Sequence, residues 1–244
     1  DLTIFNNRLF AAATAAAFIS GLSRFALMFI FVFYYQGAQG DDPITAGIKL
    51  APMAIGMLIA SPPAGIYADR HGSRALAAIG MLVTALGLAL MTTLTADSAY
   101  WTGGLFLFLV GIGSGMFNSP NTAAMMGTVP TERRGIAAGA RTMLQNTGAV
   151  ISIAFVLAIV TAAVPQEVLF KIFSGLASGL TSAQLDPFIS NMHTALWVLA
   201  AISVIGAAVS MLRPSEKQAP SRASRPARAI TIEEAISEEI EATP

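Results

Sequence analysis

Gly65-Ile66-Tyr67-Ala68-Asp69-Arg70-His71-Gly72-Ser73-Arg74 is a short charged turn between two long runs, residues 50–68 and 75–96, that contain no Asp, Glu, Lys or Arg. A helix rises about 1.5 Å per residue, so roughly 20 residues cross a ~30 Å hydrocarbon core. Both runs reach that length. Asp69 and Gly72 suit a tight reversal, and Arg70 and Arg74 suit anchorage at anionic headgroups. The stretch therefore reads as two membrane helices joined at a surface.

Further runs of the same kind cover residues 98–131, 142–166 and 187–212, while residues 9–36 carry Arg24 as their one charge. Backbone polar groups cannot stay unpaired in hydrocarbon, and runs this long without period-two alternation favour helices over barrel strands. The expected fold class is all-α: a polytopic membrane protein with spans at about 9–36, 45–68, 75–95, 101–127, 135–163 and 188–212. Composition agrees, with 55% hydrophobic and 11% charged residues and a mean hydropathy of +0.65. A soluble globule of 244 residues needs more polar surface than this. With no cysteine there are neither disulfides nor thiolate metal sites. The chain opens on Asp1 without a secretory leader pattern and is read as an interior fragment or a processed chain.

Prolines and loops set finer expectations. Pro52 and the Pro62-Pro63 pair should bend or break the second span, Pro120 should kink the fourth, and Pro187 should separate the connector from the sixth. Within the connector at 165–186, Val168, Leu169, Ile172, Phe173 and Leu176 share a helical face. That face suits a membrane surface or a packed loop helix. Thr181-x-x-Gln184 resembles a capping box. Residues 214–244 turn polar and then acidic, and should be disordered or weakly helical.

Arg8, Arg70, Arg74, Arg133, Arg134, Arg213, Lys217, Arg222, Arg225 and Arg228 gather on one side of the spans, against Lys49 and Lys171 on the other. The positive-inside rule puts the first group in the cytoplasm, with both ends of the chain. The expected location is the cell (inner) membrane.

The pattern G-x-x-x-D-R-x-G-x-R, carried by Gly65, Asp69, Arg70, Gly72 and Arg74 between the second and third spans, resembles the signature loop of the major facilitator superfamily. Ser73 stands where that family usually has the first of two basic residues. Gly111-Ile-Gly113-Ser-Gly115-Met-Phe-Asn118-Ser-Pro120, Val129-Pro130-Thr-Glu132-Arg133-Arg134-Gly135 and Gln145-Asn146-Thr-Gly148 are similar to the C-terminal half of fourteen-helix drug:proton antiporters. The resemblance covers residues 1 to about 213. It implies one six-helix half of a major facilitator fold, itself an inverted pair of three-helix units. In such a half the first and fourth helices line the cavity, the second and fifth form the closing interface, and the third and sixth face lipid. The implied activity is secondary active export of drug-like or amphipathic organic solutes, with protons as coupling partner.

Arg24 lies near mid-span, where a charge costs about 2.5 to 3.5 kcal/mol on insertion scales. It shares a helical face with Met28, Phe31 and Tyr35, and reads either as a cavity group or as part of a structural ion pair. Asn118 and Asn121 beside Pro120 suit seam packing or a water-lined site. Gln145 and Asn146 lie on two faces of the fifth span. Arg141 is a gating contact or a snorkelling anchor, grouped with Arg133 and Arg134 at the same membrane boundary. His193 reads as a satisfied interfacial histidine rather than a proton relay.

No span contains an interior Asp or Glu. A proton-carrying carboxylate is therefore expected in an N-terminal half outside this sequence. An enzyme would need a nucleophile and base or metal ligands, and no Cys, H-E-x-x-H or membrane carboxylate is present. No catalytic residue, metal, cofactor or nucleic-acid partner is expected. The expected partners are lipids, a small organic substrate, and the other transporter half or a second copy. A half-size membrane scaffold or a homodimerising half-transporter is the other reading of a six-span chain. In this cysteine-free sequence, Ala38→Cys should react in intact cells with membrane-impermeant thiol reagents. Labelling by permeant reagents alone would reverse the orientation.

Overall fold

The structure is a computed structural model that describes residues 7–162, 164–173 and 182–212. Among these residues all the regular structure is helical, with six helical segments long and apolar enough to cross a membrane.

Local chemistry sets the ends. Helix α1, Arg8–Phe33, starts where the Asn7 side chain accepts from the N–H groups of Leu9 at 2.9 Å and Phe10 at 3.3 Å. It widens into a π turn at Tyr34–Ala38. Helix α2, Pro43–Lys49, has proline in its first turn and Asp42 as its cap. Hydrogen bonds from the Thr45 hydroxyl and backbone, with that of Ile44, hold the Asp42 carboxyl below the usual carboxylate range. Its contribution is present above that range and fades as acidification passes the lowered folded value.

Helix α3, Ala51–His71, is set off from α2 by a tight step at Leu50, where Pro52 withholds the N–H that would continue the helix. The expected break at Pro62-Pro63 does not occur: α3 runs through both. The two rings lie on its exposed face among the described residues, while Ala60 and Ala64 keep the opposite face buried. Gly72, at φ 90°, reverses the chain in a single residue before α4, Ser73–Met91. Helix α5, Tyr100–Gly127, is unbroken through Pro120.

A short 3-10 turn at Thr131–Arg133 leads into α6, Arg134–Thr161. Helix α7, Gln166–Phe173, lays Val168 and Leu169 on the core and exposes Phe170, so that part of the connector is a packed loop helix. Helix α8, Ser182–Met211, begins before Pro187 instead of after it. A proline so close behind a helix start removes a single hydrogen bond, which the helix tolerates. The side chains of Ile172 and Phe173, together with Leu176, Thr181 and residues 214–244, lie outside the described residues.

Spans pair in a pattern that repeats within the chain. Helix α3 packs on α5 and α1 on α6; α4 packs on α5 and α1 on α8; α4 meets α8, and α1 meets α5. Exchanging the first three spans for the last three maps this set of pairs onto itself. Two equivalent seams show how the pairs close. Along α1 and α6, a Cβ at Gly21 would sit 2.5 Å from the Gln145 carbonyl oxygen, and one at Gly148 would sit 2.6 Å from that of Phe18. The Ser152 hydroxyl donates to the Leu22 carbonyl across the same seam. Along α3 and α5, Gly56 abuts the Phe108 carbonyl, Gly111 abuts that of Met53, and a Cβ at Gly115 would lie 2.8 Å from the Met57 carbonyl oxygen.

At the end away from the arginine-bearing turns, polar groups tie the loops together. Lys49 pairs with Asp41 and stands 5.2 Å from the Tyr35 ring centre and 5.7 Å from that of Tyr100. Gln39 Nε2 donates to the Ser98 carbonyl at 2.8 Å, and the Tyr34 hydroxyl donates to the Thr95 carbonyl at 2.6 Å. His193 Nε2–H donates to the Leu94 carbonyl at 2.7 Å, a structural role.

At Gly113 a Cβ would lie 2.6 Å from the Gly80 carbonyl oxygen and 2.5 Å from Thr84 Oγ1, so Gly113→Ala should cost about 1 to 3 kcal/mol. Gly47 has nothing within 4 Å, and Gly47→Ala should gain up to about 1 kcal/mol through helix propensity. Unfolding midpoints in detergent would compare the two.

Candidate functional site

Helices α1 and α5 meet at the middle of the bundle, with α6 packed beside α1 and α3 beside α5. The spans containing α3 and α6 are the least enclosed, 22% and 33% buried across their most apolar stretches, against 44% to 50% for the other spans. The four helices present one shared face, and two arginines cross it. Arg24 Nη1 on α1 reaches Met57 Sδ on α3 at 3.7 Å, with its guanidinium carbon 4.8 Å from the Phe25 ring centre. Arg141 Nη2 on α6 reaches Asn118 Oδ1 on α5 at 3.1 Å. Asn118 is fixed for that contact, because its own Nδ2 donates to the Ser114 carbonyl at 3.0 Å.

The arginine contacts obey the internal repeat: one joins the first span to the second, the other the fifth to the fourth. Both guanidinium groups are half-buried, and the Nε of each is enclosed without a hydrogen-bond partner. The two arginines stand on helices packed directly together, Arg24 three residues from Gly21 on α1 and Arg141 four residues from the Gln145 whose carbonyl Gly21 meets on α6.

The remaining residues singled out from sequence separate into groups. Met28, one turn beyond Arg24, is 42% exposed and belongs to the open face. Phe31 and Tyr35 do not, because the packing of α1 against its neighbours encloses the outer half of their stripe in the main core. Asn121 is wholly buried and donates from Nδ2 to the Ala13 carbonyl at 3.0 Å, tying α5 to α1. Gln145 is buried at the α1 seam, where its carbonyl faces Gly21. Asn146 is exposed on the outward side of α6.

Asp69, Arg70, Arg74, Arg133 and Arg134 sit exposed at the arginine-bearing end, around the turn that Gly72 makes possible. Gly65 serves packing, since a Cβ there would lie 2.9 Å from Ser119 Oγ. Met57 escaped the sequence reading because an apolar side chain in an apolar span gives no signal.

Residues 13–239 match the family described as the Major Facilitator Superfamily. The chain belongs to that superfamily.

Among curated members it is 29% identical over 147 residues to the tetracenomycin C resistance and export protein of Streptomyces glaucescens, which covers 60% of this chain and 27% of that protein. It is 23% identical over 206 residues to the riboflavin transporter RibZ of Clostridioides difficile, with 84% and 43% covered. Multidrug resistance protein 3 of Bacillus subtilis is 30% identical over 151 residues, with 62% and 29% covered. The chain thus spans less than half the length of these relatives. Among solved structures, the Escherichia coli fucose:proton symporter aligns over 96% of this chain and 55% of its own, with a TM-score of 0.67 at 19% identity, a likeness of fold. This major facilitator chain is an integral membrane protein.

Asn121→Leu should lower the unfolding midpoint by the equivalent of roughly 1 kcal/mol, the scale of a hydrogen bond between membrane helices. Asn146→Ala, on an exposed face, should leave the midpoint unchanged. Thermal denaturation in detergent reads both.

Proposed function

We propose that the chain is one half of a secondary active transporter that exports drug-like or amphipathic organic solutes in exchange for protons. The observation that carries this reading is the open face itself: α1 and α5 at its centre, with weakly enclosed α3 and α6 as its rims. Along α6 the exposed positions include Gly135, Ile136, Gly139, Met143, Asn146, Val150 and Phe155. A Cβ at Gly135 or Gly139 would meet nothing within 4 Å. Small residues at a membrane helix surface allow another helix to approach closely, and these have no such neighbour in the described chain. A second six-helix half laid against α3 and α6 turns the open face into a central cavity, and rocking of the halves about it gives alternating access.

Export of organic solutes follows the names of two of these relatives, a resistance and export protein and a multidrug resistance protein. The cavity wall offers Met28, Phe25 and Met57 beside polar Asn118, a mixed surface suited to amphipathic molecules. The described spans hold no interior carboxylate, and proton exchange in this reading therefore assigns the carrier carboxylate to the other half of the transporter. The arginine-bearing turns face the cytoplasm of the cell membrane by the positive-inside rule.

Everted vesicles containing the protein as its gene encodes it should take up lipophilic fluorescent dyes when a proton gradient is imposed and lose them when a protonophore is added. Uptake equal to that of vesicles lacking the protein would refute export. Gly139→Leu should fold normally and cut that uptake roughly ten-fold or more, because its side chain points where the other half packs. Unimpaired uptake by this variant would remove α6 from the closing interface.

A further inference from the structure

Two like charges on packed neighbouring membrane helices, neither paired with an acid among the described residues, are an unfinished arrangement. A guanidinium carries several planar N–H donors, and each of these two is given a single partner: a thioether sulfur at 3.7 Å for Arg24, an amide oxygen at 3.1 Å for Arg141. Each Nε is enclosed and unbonded. Both partners are neutral. The acids of the described residues, Asp41, Asp42, Asp69, Asp97, Glu132, Glu167 and Asp186, all stand at or beyond span ends, so none reaches the centre of the face.

We propose that Arg24 and Arg141 form a paired guanidinium site for an oxyanion, and that this oxyanion is the carboxylate, phosphonate or sulfonate group of the transported solute. The inference rests on the transport reading above and narrows its cargo to amphipathic organic anions. Guanidinium groups match such oxyanions through parallel N–H donors, and a shared anion removes the repulsion between the two cations. Asn118, held by the Ser114 carbonyl, is a positioning residue that fixes the Arg141 fork at 3.1 Å. Phe25, Met28 and Met57 give the apolar body of the solute a surface beside its charged group. The half-burial of both arginines leaves the face open to a ligand while excluding enough water to strengthen the attraction.

The test compares naphthalene carboxylate with its primary amide, which share a shape and differ in charge. Binding is measured by thermal shift and tryptophan quenching on the purified protein as its gene encodes it. The carboxylate should bind roughly ten-fold tighter than the amide, Arg24→Gln or Arg141→Gln should each erase the preference, and the two Lys variants should keep part of it. Ligand-free Arg→Gln variants should unfold at the same temperature as the parent or higher, since each removes a repulsion.

Equal binding of acid and amide, or no binding of either up to the solubility limit, would overturn the site. So would an Arg→Gln loss of stability that is recovered by neutralising an Asp or Glu elsewhere in the protein, because the guanidinium would then belong to a protein carboxylate. If either Gln variant fails to fold, the other and the Lys variants carry the comparison. Dye uptake by vesicles separates this result from the transport reading: preferential binding without uptake keeps the site and removes export, and uptake without preference does the reverse.

Discussion

Glycine against a carbonyl is the contact on which this bundle depends. Lipid tails are as apolar as leucine, so helices in hydrocarbon gain little from hiding their side chains from one another, and close packing must supply the attraction. At Gly21, Gly148, Gly80 and Gly113 one helix brings its backbone so near that a methyl group would overlap the neighbour's carbonyl oxygen. Each glycine costs a helix about 1 kcal/mol in propensity. Each close approach returns a comparable amount through dispersion and Cα–H···O contacts, worth about 0.5 to 1 kcal/mol apiece. The balance makes the seams short-range and geometrically strict, and this strictness fixes where every polar side chain of the interior can point.

The repeat within the chain follows from where those seams fall. With α1 closed on α6 and α5 closed on α3 by the same device, the two inner helices meet at the centre and the two outer ones become rims. Arg24 and Arg141 then cross equivalent gaps in opposite senses, inner to outer in one case and outer to inner in the other. The loops at the far end, tied through Lys49, Asp41, Gln39 and Tyr34, close the bundle there. The arginine-bearing end relies on the single-residue reversal at Gly72 and on the small core of Phe10, Met125, Val129 and Ala137.

The spans were legible because hydrocarbon imposes one rule on every residue that crosses it, and charge-free length reads that rule directly. Proline was less legible: whether Pro62, Pro63 or Pro187 breaks a helix depends on which face its ring occupies and how near the helix start it falls, and both are settled by packing. Arg24 announced itself as a charge among apolar residues. Arg141 lay close enough to a helix end to read as an anchor, and its reach to Asn118 needed the angle between α5 and α6. The stripe from Arg24 to Tyr35 was correct as a helical face, yet a neighbouring helix covers its outer half, which no periodicity reveals. The repeat was invisible in residue identities because it resides in which helices touch, and several glycine placements satisfy the same contact.

A chain shaped by stability alone would not keep both arginines. Arg24 bears an insertion cost of about 2.5 to 3.5 kcal/mol near its span centre, Arg141 a smaller one about two turns inside its span end, and a leucine or glutamine at either position removes that penalty. The seams tolerate that cost because they use neither residue: Gly21, three residues before Arg24, and Gly148, seven after Arg141, close α1 on α6 through backbone contacts. Stability and charge are therefore carried by separate sets of side chains on the same helices. A fold organised this way can hold an unsatisfied cationic pair ready on its open face without loosening, and the free energy withheld from the empty protein becomes available to whatever anion completes the pair.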